Sequence, residues 1–268
     1  MTSFIQSTWL AGLRGRSFHL VLMLGLILVG WAFLASFFSP RHPQTVALDV
    51  GISGIRITLV LLSLFWVQEL VSKEIERRTL VLTMAHPVSR MDYIIGRYAG
   101  ISVLLLVSTI ILALLLLLTV FATEGEYGAA RKVSLGIPYW ATMIGLWLDV
   151  LVVTSFTLCI ASLSTMVFLP FAVGIMFTLA ARSLGIVLEF LFVRQAEGDQ
   201  ALLFQFGPVI KSIRWMLPDL SRLDWRDWTL YGLSPDTDSL IMAIVMAVAY
   251  SVILLSLAVF CFQRRELV

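Results

Sequence analysis

The run from Ile101 to Val120 is almost entirely Leu, Ile and Val. It shows no alternation of polar and apolar faces, which excludes a barrel strand. A run of this length satisfies its backbone groups in lipid only as a helix. The same test, an apolar stretch of about 18 residues or more, predicts spans at Leu20 to Phe38, Ile55 to Val71, Ala99 to Ala122, Trp140 to Leu163, Met166 to Val193 and Leu240 to Phe262. The expected fold is an all-α polytopic membrane protein with six transmembrane helices, a single transmembrane domain over residues 1–268. Composition agrees: 59% of residues are hydrophobic and 13% charged, where a soluble domain carries roughly 25% charge. Six crossings use about 120 residues, which leaves too little for a large soluble domain.

Charge and cysteine usage remove other classes. The formal net charge is +2, from 19 Lys+Arg and 17 Asp+Glu, and no basic run exceeds two residues, so a nucleic-acid partner is not expected. Cys159 and Cys261 lie far apart in apolar runs, and neither a disulfide framework nor a metal knuckle is readable. No metal site is expected. Met242 and Met246 share a helix face, but without His or Cys beside them they read as packing.

Topology follows from the basic residues. About nineteen residues precede the first run, its core exceeds the usual 7 to 15 of a signal peptide, and no small-x-small site follows, so it is expected to be retained. An even number of spans puts both termini on one side, with Arg14, Arg16, Lys73, Arg77, Arg78, Arg90, Arg97, Arg264 and Arg265. The opposite short loops hold Arg41, Arg131 and Lys132. This bias predicts cytoplasmic termini, although the long loop on the other side adds five basic residues.

Three of the segments outside these spans carry a readable pattern. In residues 1–18, Ile5, Trp9, Leu10 and Leu13 fall at helical spacing, the pattern of an interfacial helix. Residues 72–98 are charged, then apolar, broken at Pro87, then amphipathic again. They predict a cytoplasmic hairpin of two short helices, with Ser89 capping the second and Asp92 in its first turn. Residues 194–238 form the long outer loop, where Trp215, Trp225, Trp228 and Tyr231 are expected at headgroup depth.

Motifs for chemistry are few. No G-x-x-x-x-G-K-[ST] loop and no H-E-x-x-H is present. Gly51-Ile52-Ser53-Gly54 matches a G-x-S-G serine-protease motif, but His19 and His86 lie on the opposite side and His42 in an outer loop, so no span supplies a base. The glycines read instead as a tight turn into the second span. The intramembrane polar candidates are Asp149, Arg182 and Glu189, because charge at bilayer depth is costly. Arg182 can pair with Glu189, seven residues on, or with Asp149 across spans.

The order Glu74 or Glu76, Thr79, Leu82, Pro87, Ser89, Arg90, Gly96 and Arg97 resembles the loop between spans two and three of ABC-2 type transporter permeases. Arg78 stands where that pattern has Gly, and Arg97 where it has Lys. The six-span layout, the N-terminal helix and the terminal Arg264-Arg265-Glu266 are similar too. Leu217-Pro218-Asp219-Leu220 with Leu223-Asp224-Trp225 resembles the outer loop of the subgroup named for multicopper-enzyme maturation. The resemblance implies a non-catalytic permease subunit of an ATP-driven exporter in a bacterial or archaeal plasma membrane. It would act beside a second permease copy and a separate ABC ATPase that binds ATP and magnesium; the chain itself would hold no cofactor. It also implies an ATPase-coupling loop, with Glu74, Glu76, Arg77 and Arg78 as surface contacts and Leu80, Leu82, Met84 and Val88 as packing. Two other readings fit the residues: a proton-coupled secondary transporter built on Asp149, and a membrane anchor for an ATP-driven assembly complex.

Overall fold

The computed structural model describes residues 8–9, 11–12, 15–39, 41–76, 89–123, 133–196 and 218–264. Among them, α1 spans Arg16–Ser36, α2 Pro43–Val67, α3 Arg90–Ala122, α4 Ile137–Leu163, α5 Phe168–Ala196, α6 Arg226–Tyr231 and α7 Thr237–Arg264. Six of these seven, all but the short α6, are long and apolar enough to cross a bilayer. The chain is therefore an all-α, multi-pass membrane protein.

Helix ends follow local chemistry. Pro43 and Pro138 sit in the first turns of α2 and α4, where a missing N–H costs nothing. Ser89 caps α3 by accepting from the Asp92 N–H, and its hydroxyl donates back to the Asp92 carboxylate. Gly232 ends α6 at φ 69°, a left-handed position that suits glycine. Past Val67, α2 continues through a wider π turn, Gln68–Ser72, into one further turn, Lys73–Glu76.

Three sequence expectations change. The second span begins at Pro43, not Ile55, and the third at Arg90, not Ala99. The expected second short helix of the 72–98 hairpin is instead the first turns of α3, because nothing between the Ser89 cap and Ala99 breaks the helix. Gly51 and Gly54 form no turn; both lie inside α2, where a Cβ on Gly54 would sit 2.9 Å from Leu28 Cβ of α1. Small residues at such contacts let helices approach closely in lipid, where apolar area alone does not drive association.

The interior is built on α2 and α4, the most buried of the six spans, and α7 is the least buried. Leu59 and Leu62 of α2, Leu105 and Leu112 of α3 and Leu146 and Val150 of α4 share one core. Tyr139 Oη donates to Ala113 O at 2.6 Å, and Trp147 Nε1 to Ser102 O at 3.1 Å, which fixes α4 on α3. A second core joins Leu64, Val152, Val153, Ala181, Ala243 and Ala247 to Leu220, Leu223 and Trp225 of the segment before α7. Trp225 is thus a buried residue with its indole N–H on Arg222 O, not the headgroup-level ring expected. The outward faces are apolar, with Ile27 and Trp31 on α1, Leu179 on α5 and Val245 and Ile253 on α7. Met242 is exposed among them, so it does not fill the core.

Thr8, Trp9, Ala11 and Gly12 are helical, and Trp9 packs on the main core. The rest of the expected N-terminal interfacial helix, and residues 197–217 of the outer loop, lie outside the described residues.

Candidate functional site

Two polar clusters stand out in a chain this apolar. The first lies at the end of the bundle that carries Thr8 and the end of α7. Arg97, only 5% exposed, pairs through Nη2 with Glu74 Oε1. Its Nη1 donates to Thr8 Oγ1 at 3.0 Å. Tyr93 Oη donates to the other Glu74 oxygen at 2.7 Å, and the Arg97 guanidinium lies 5.5 Å from the Tyr93 ring centre. Four elements meet there: the turn after α2, α3, the N-terminal segment and, through Phe262 stacked on Tyr93, α7. Arg90 adds a tie to α7, donating to Phe262 O at 3.2 Å and Gln263 O at 2.9 Å, the carbonyls left open at a helix C-terminus.

Several expected loop contacts are therefore engaged inside the fold. Glu74, Arg90 and Arg97 bind protein groups, Gly96 is buried and Ser89 is a helix cap. Glu76 ends the described turn, and its side chain lies outside the described residues. Arg77, Arg78, Thr79, Leu80, Leu82, Met84, Pro87 and Val88 also lie outside them, as does the side chain of Glu189.

The second cluster lies deeper. Arg56 is thirteen residues from the start of α2, Asp149 twelve from the start of α4 and Arg182 fourteen from the end of α5. At 1.5 Å per residue, each is about 20 Å from that end of its helix. All three sit at one level. Asp149, 3% exposed, pairs with Arg182 Nη2, one of the two partners the sequence allows. Arg56 Nη2 reaches Asp224 Oδ2 at 2.6 Å. Arg226 Nε contacts both Asp224 oxygens at 3.0 Å, and its Nη1 reaches Asp49 Oδ1 at 2.8 Å and Ser53 Oγ at 3.2 Å.

The segment 218–231 dips into the bundle to make these contacts. Irregular backbone at such depth survives only where protein groups satisfy it. Thr142 Oγ1 donates to Trp225 O at 3.0 Å and pairs with Thr229 Oγ1 at 2.9 Å. Ser134 N–H donates to Thr229 O at 3.1 Å. A Cβ on Gly145 of α4 would fall 2.5 Å from Leu223 O, so only glycine admits the segment this closely.

Burial pushes the Asp224 carboxyl up, but Arg56 and Arg226 outweigh it and hold the group below the ordinary carboxylate value. Burial likewise opposes charge on Arg226, and Asp224 and Asp49 reverse this and raise it above its ordinary value. Both groups stay ionised as a pair. Arg56, Asp149, Arg182, Asp224, Arg226 and Asp227 line a cavity of about 330 Å³.

The sequence reading missed Arg56, Asp49, Asp224 and Arg226. A signal existed: Asp49 and Arg56 are seven apart, on one face of a helix that starts at Pro43. Ser53, the serine of the G-x-S-G match, is held by Arg226. Ser53 is eleven residues along α2 from His42, about 16 Å of helix rise. What the cluster can do is hold charge at depth and fasten the 218–231 segment to α2. No known family model matches the chain, and no curated protein matches it.

Proposed function

We propose that this chain is the permease subunit of an ATP-driven exporter, with both termini cytoplasmic in a bacterial or archaeal plasma membrane. A separate P-loop ATPase supplies the energy, and a second permease copy completes the pathway. The observation that carries the reading is the tie between Glu74 and Arg97, which lie on either side of residues 77–88 in the chain. Because Arg97 also holds Thr8, and Tyr93 holds Glu74, a force applied through residues 77–88 would move the extension of α2, α3 and the N-terminal segment together. From Pro43 to Glu76, α2 and its extension run about 50 Å. The same rod carries Asp49 and Arg56 of the deep cluster, so displacement at one end reaches the charged contacts near the other.

A photo-crosslinker at Arg78 or Val88 tests this. Adducts to a P-loop ATPase support the reading; adducts to no such protein, with the chain intact in its native membrane, count against it. The burial of Asp149 beside a cavity favours a proton-coupled carrier as the second reading. Transport that persists without nucleotide and collapses with the proton gradient would select it.

A further inference from the structure

A second cavity, of about 430 Å³, opens between the start of α3 and the last third of α7. Met91 and Ile95 form one wall, and Val252, Leu255, Val259 and Phe260 form the other. Ser256 is the one hydroxyl in the lining, and it donates to Val252 O of its own helix at 2.8 Å, so no donor is left for a polar guest at depth. Polarity changes at the mouth. Gln263 ends the lining there and is exposed. Arg264 follows it, also exposed, with its guanidinium carbon 4.4 Å from the centre of the Phe260 ring. Arg90 stands at the same mouth, its Nη1 on Phe262 O and Gln263 O. The nearby carboxylate of Asp92 is taken up by the Ser89 hydroxyl. No acidic side chain pairs with Arg264 among the described residues. Two arginines against one aspartate leave this rim positive.

From Val252 to Gln263 the groove follows eleven residues of helix, about 16 Å of rise. The hydrocarbon of one leaflet is about 15 Å deep, half of a core of about 30 Å. A groove of one leaflet's depth, apolar inside and cationic at its surface end, has the polarity of a phospholipid read in the same direction. We propose that it holds one acyl chain of an anionic phospholipid, whose phosphate accepts from Arg264 and from the Gln263 amide. Apolar contact alone does not draw a chain out of bulk lipid, since both surroundings are equally apolar, so selectivity comes from the headgroup. A choline headgroup carries its own cation to the arginines and binds less well. A second copy of the chain suits the groove poorly. A two-fold axis along the membrane normal preserves depth and would bring two Arg264 side chains to one level of the seam, where like charges repel. The site stands on the groove between α3 and α7 and does not use the ATPase reading.

The test places the full chain in nanodiscs of equal phosphatidylcholine and phosphatidylglycerol, with the photo-crosslinker benzoylphenylalanine in place of Phe260, which keeps the ring that Arg264 covers. A second preparation carries the probe at Val245, an exposed residue of the same helix outside the groove. Adducts are identified by mass spectrometry. With the probe at Phe260, phosphatidylglycerol adducts should exceed phosphatidylcholine adducts about fivefold, the attraction of one arginine for an anionic lipid. With the probe at Val245 the adducts should follow the disc ratio. Arg264→Gln should return the first ratio toward that of the disc. Val252→Trp fills the deep end of the groove, leaves both arginines in place and should lower the enrichment too, which simple attraction to a basic rim would not. Equal ratios at the two probe positions overturn the proposal, as does an enrichment undiminished in either variant. Adducts from the Phe260 position to a second copy of this chain, in place of lipid, would make the groove a dimer seam and overturn it as well.

Discussion

Arg56 Nη2 lies 2.6 Å from Asp224 Oδ2, joining the second span to a segment that enters the bundle just before the last one. Arg226 contacts the same carboxylate and reaches Asp49, about two turns from Arg56 on α2. Asp224 is thereby the hub of the deep cluster.

Asp224→Asn should destabilise the protein by about 2 kcal/mol, below the 3–5 of a fully enclosed pair because both side chains retain some exposure. Arg222→Ala is the comparison. Arg222 pairs with Asp219 at the surface, with half its side chain exposed, and its loss should stay within about 0.5 kcal/mol. Thermal unfolding in nanodiscs distinguishes the two, and equal losses would remove Asp224 from its central role.

The same carboxyl predicts an acid limb. Its folded value lies below the ordinary 3.8, so its contribution is fully present above about pH 4 and is lost as pH falls through that lower value. Fluorescence of Trp225 should therefore show a change in acid below about pH 4 that depends on Asp224. Asp224→Asn should shrink this change; an unchanged profile in the variant would assign it to another group.

Gly145→Ala should push Leu223 away from α4. The added carbon would meet Leu223 O at 2.5 Å and the Trp225 ring at 3.1 Å, and a backbone carbonyl does not yield as a flexible side chain does. A loss of about 1–3 kcal/mol is expected, with faster proteolysis of the 218–231 segment. Unaltered stability would mean that the segment sits farther from α4.

Arg97→Ala should cost on the order of 3 kcal/mol, since it removes the cation paired with Glu74 and the bond to Thr8. The exchange Glu74→Arg with Arg97→Glu should recover part of that loss. A double-mutant cycle measures the coupling, and additive losses would argue against a direct pair.

The six spans were legible because lipid makes one demand, an apolar helix, and the sequence answers it six times. The Ser89 cap with Asp92 three residues on was legible for the same reason, being local. The deep cluster was not. Asp49 interrupts the apolar run, so hydropathy places the start of the second span after it, at Ile55, and leaves Arg56 as an end residue of that span. Their charges are tolerated only because Arg226 and Asp224 arrive from far along the chain. Trp225 misled in the same way, since aromatic and charged residues in alternation read as an interface until the fold folds them inward.

The most direct measurement is to purify this chain in mild detergent from its native membrane and identify by mass spectrometry what remains bound. The account predicts a P-loop ATPase recovered in near-equal amount, with that recovery reduced when Glu76 and Arg78 are reversed in charge. Recovery of no ATPase across several detergents would contradict it.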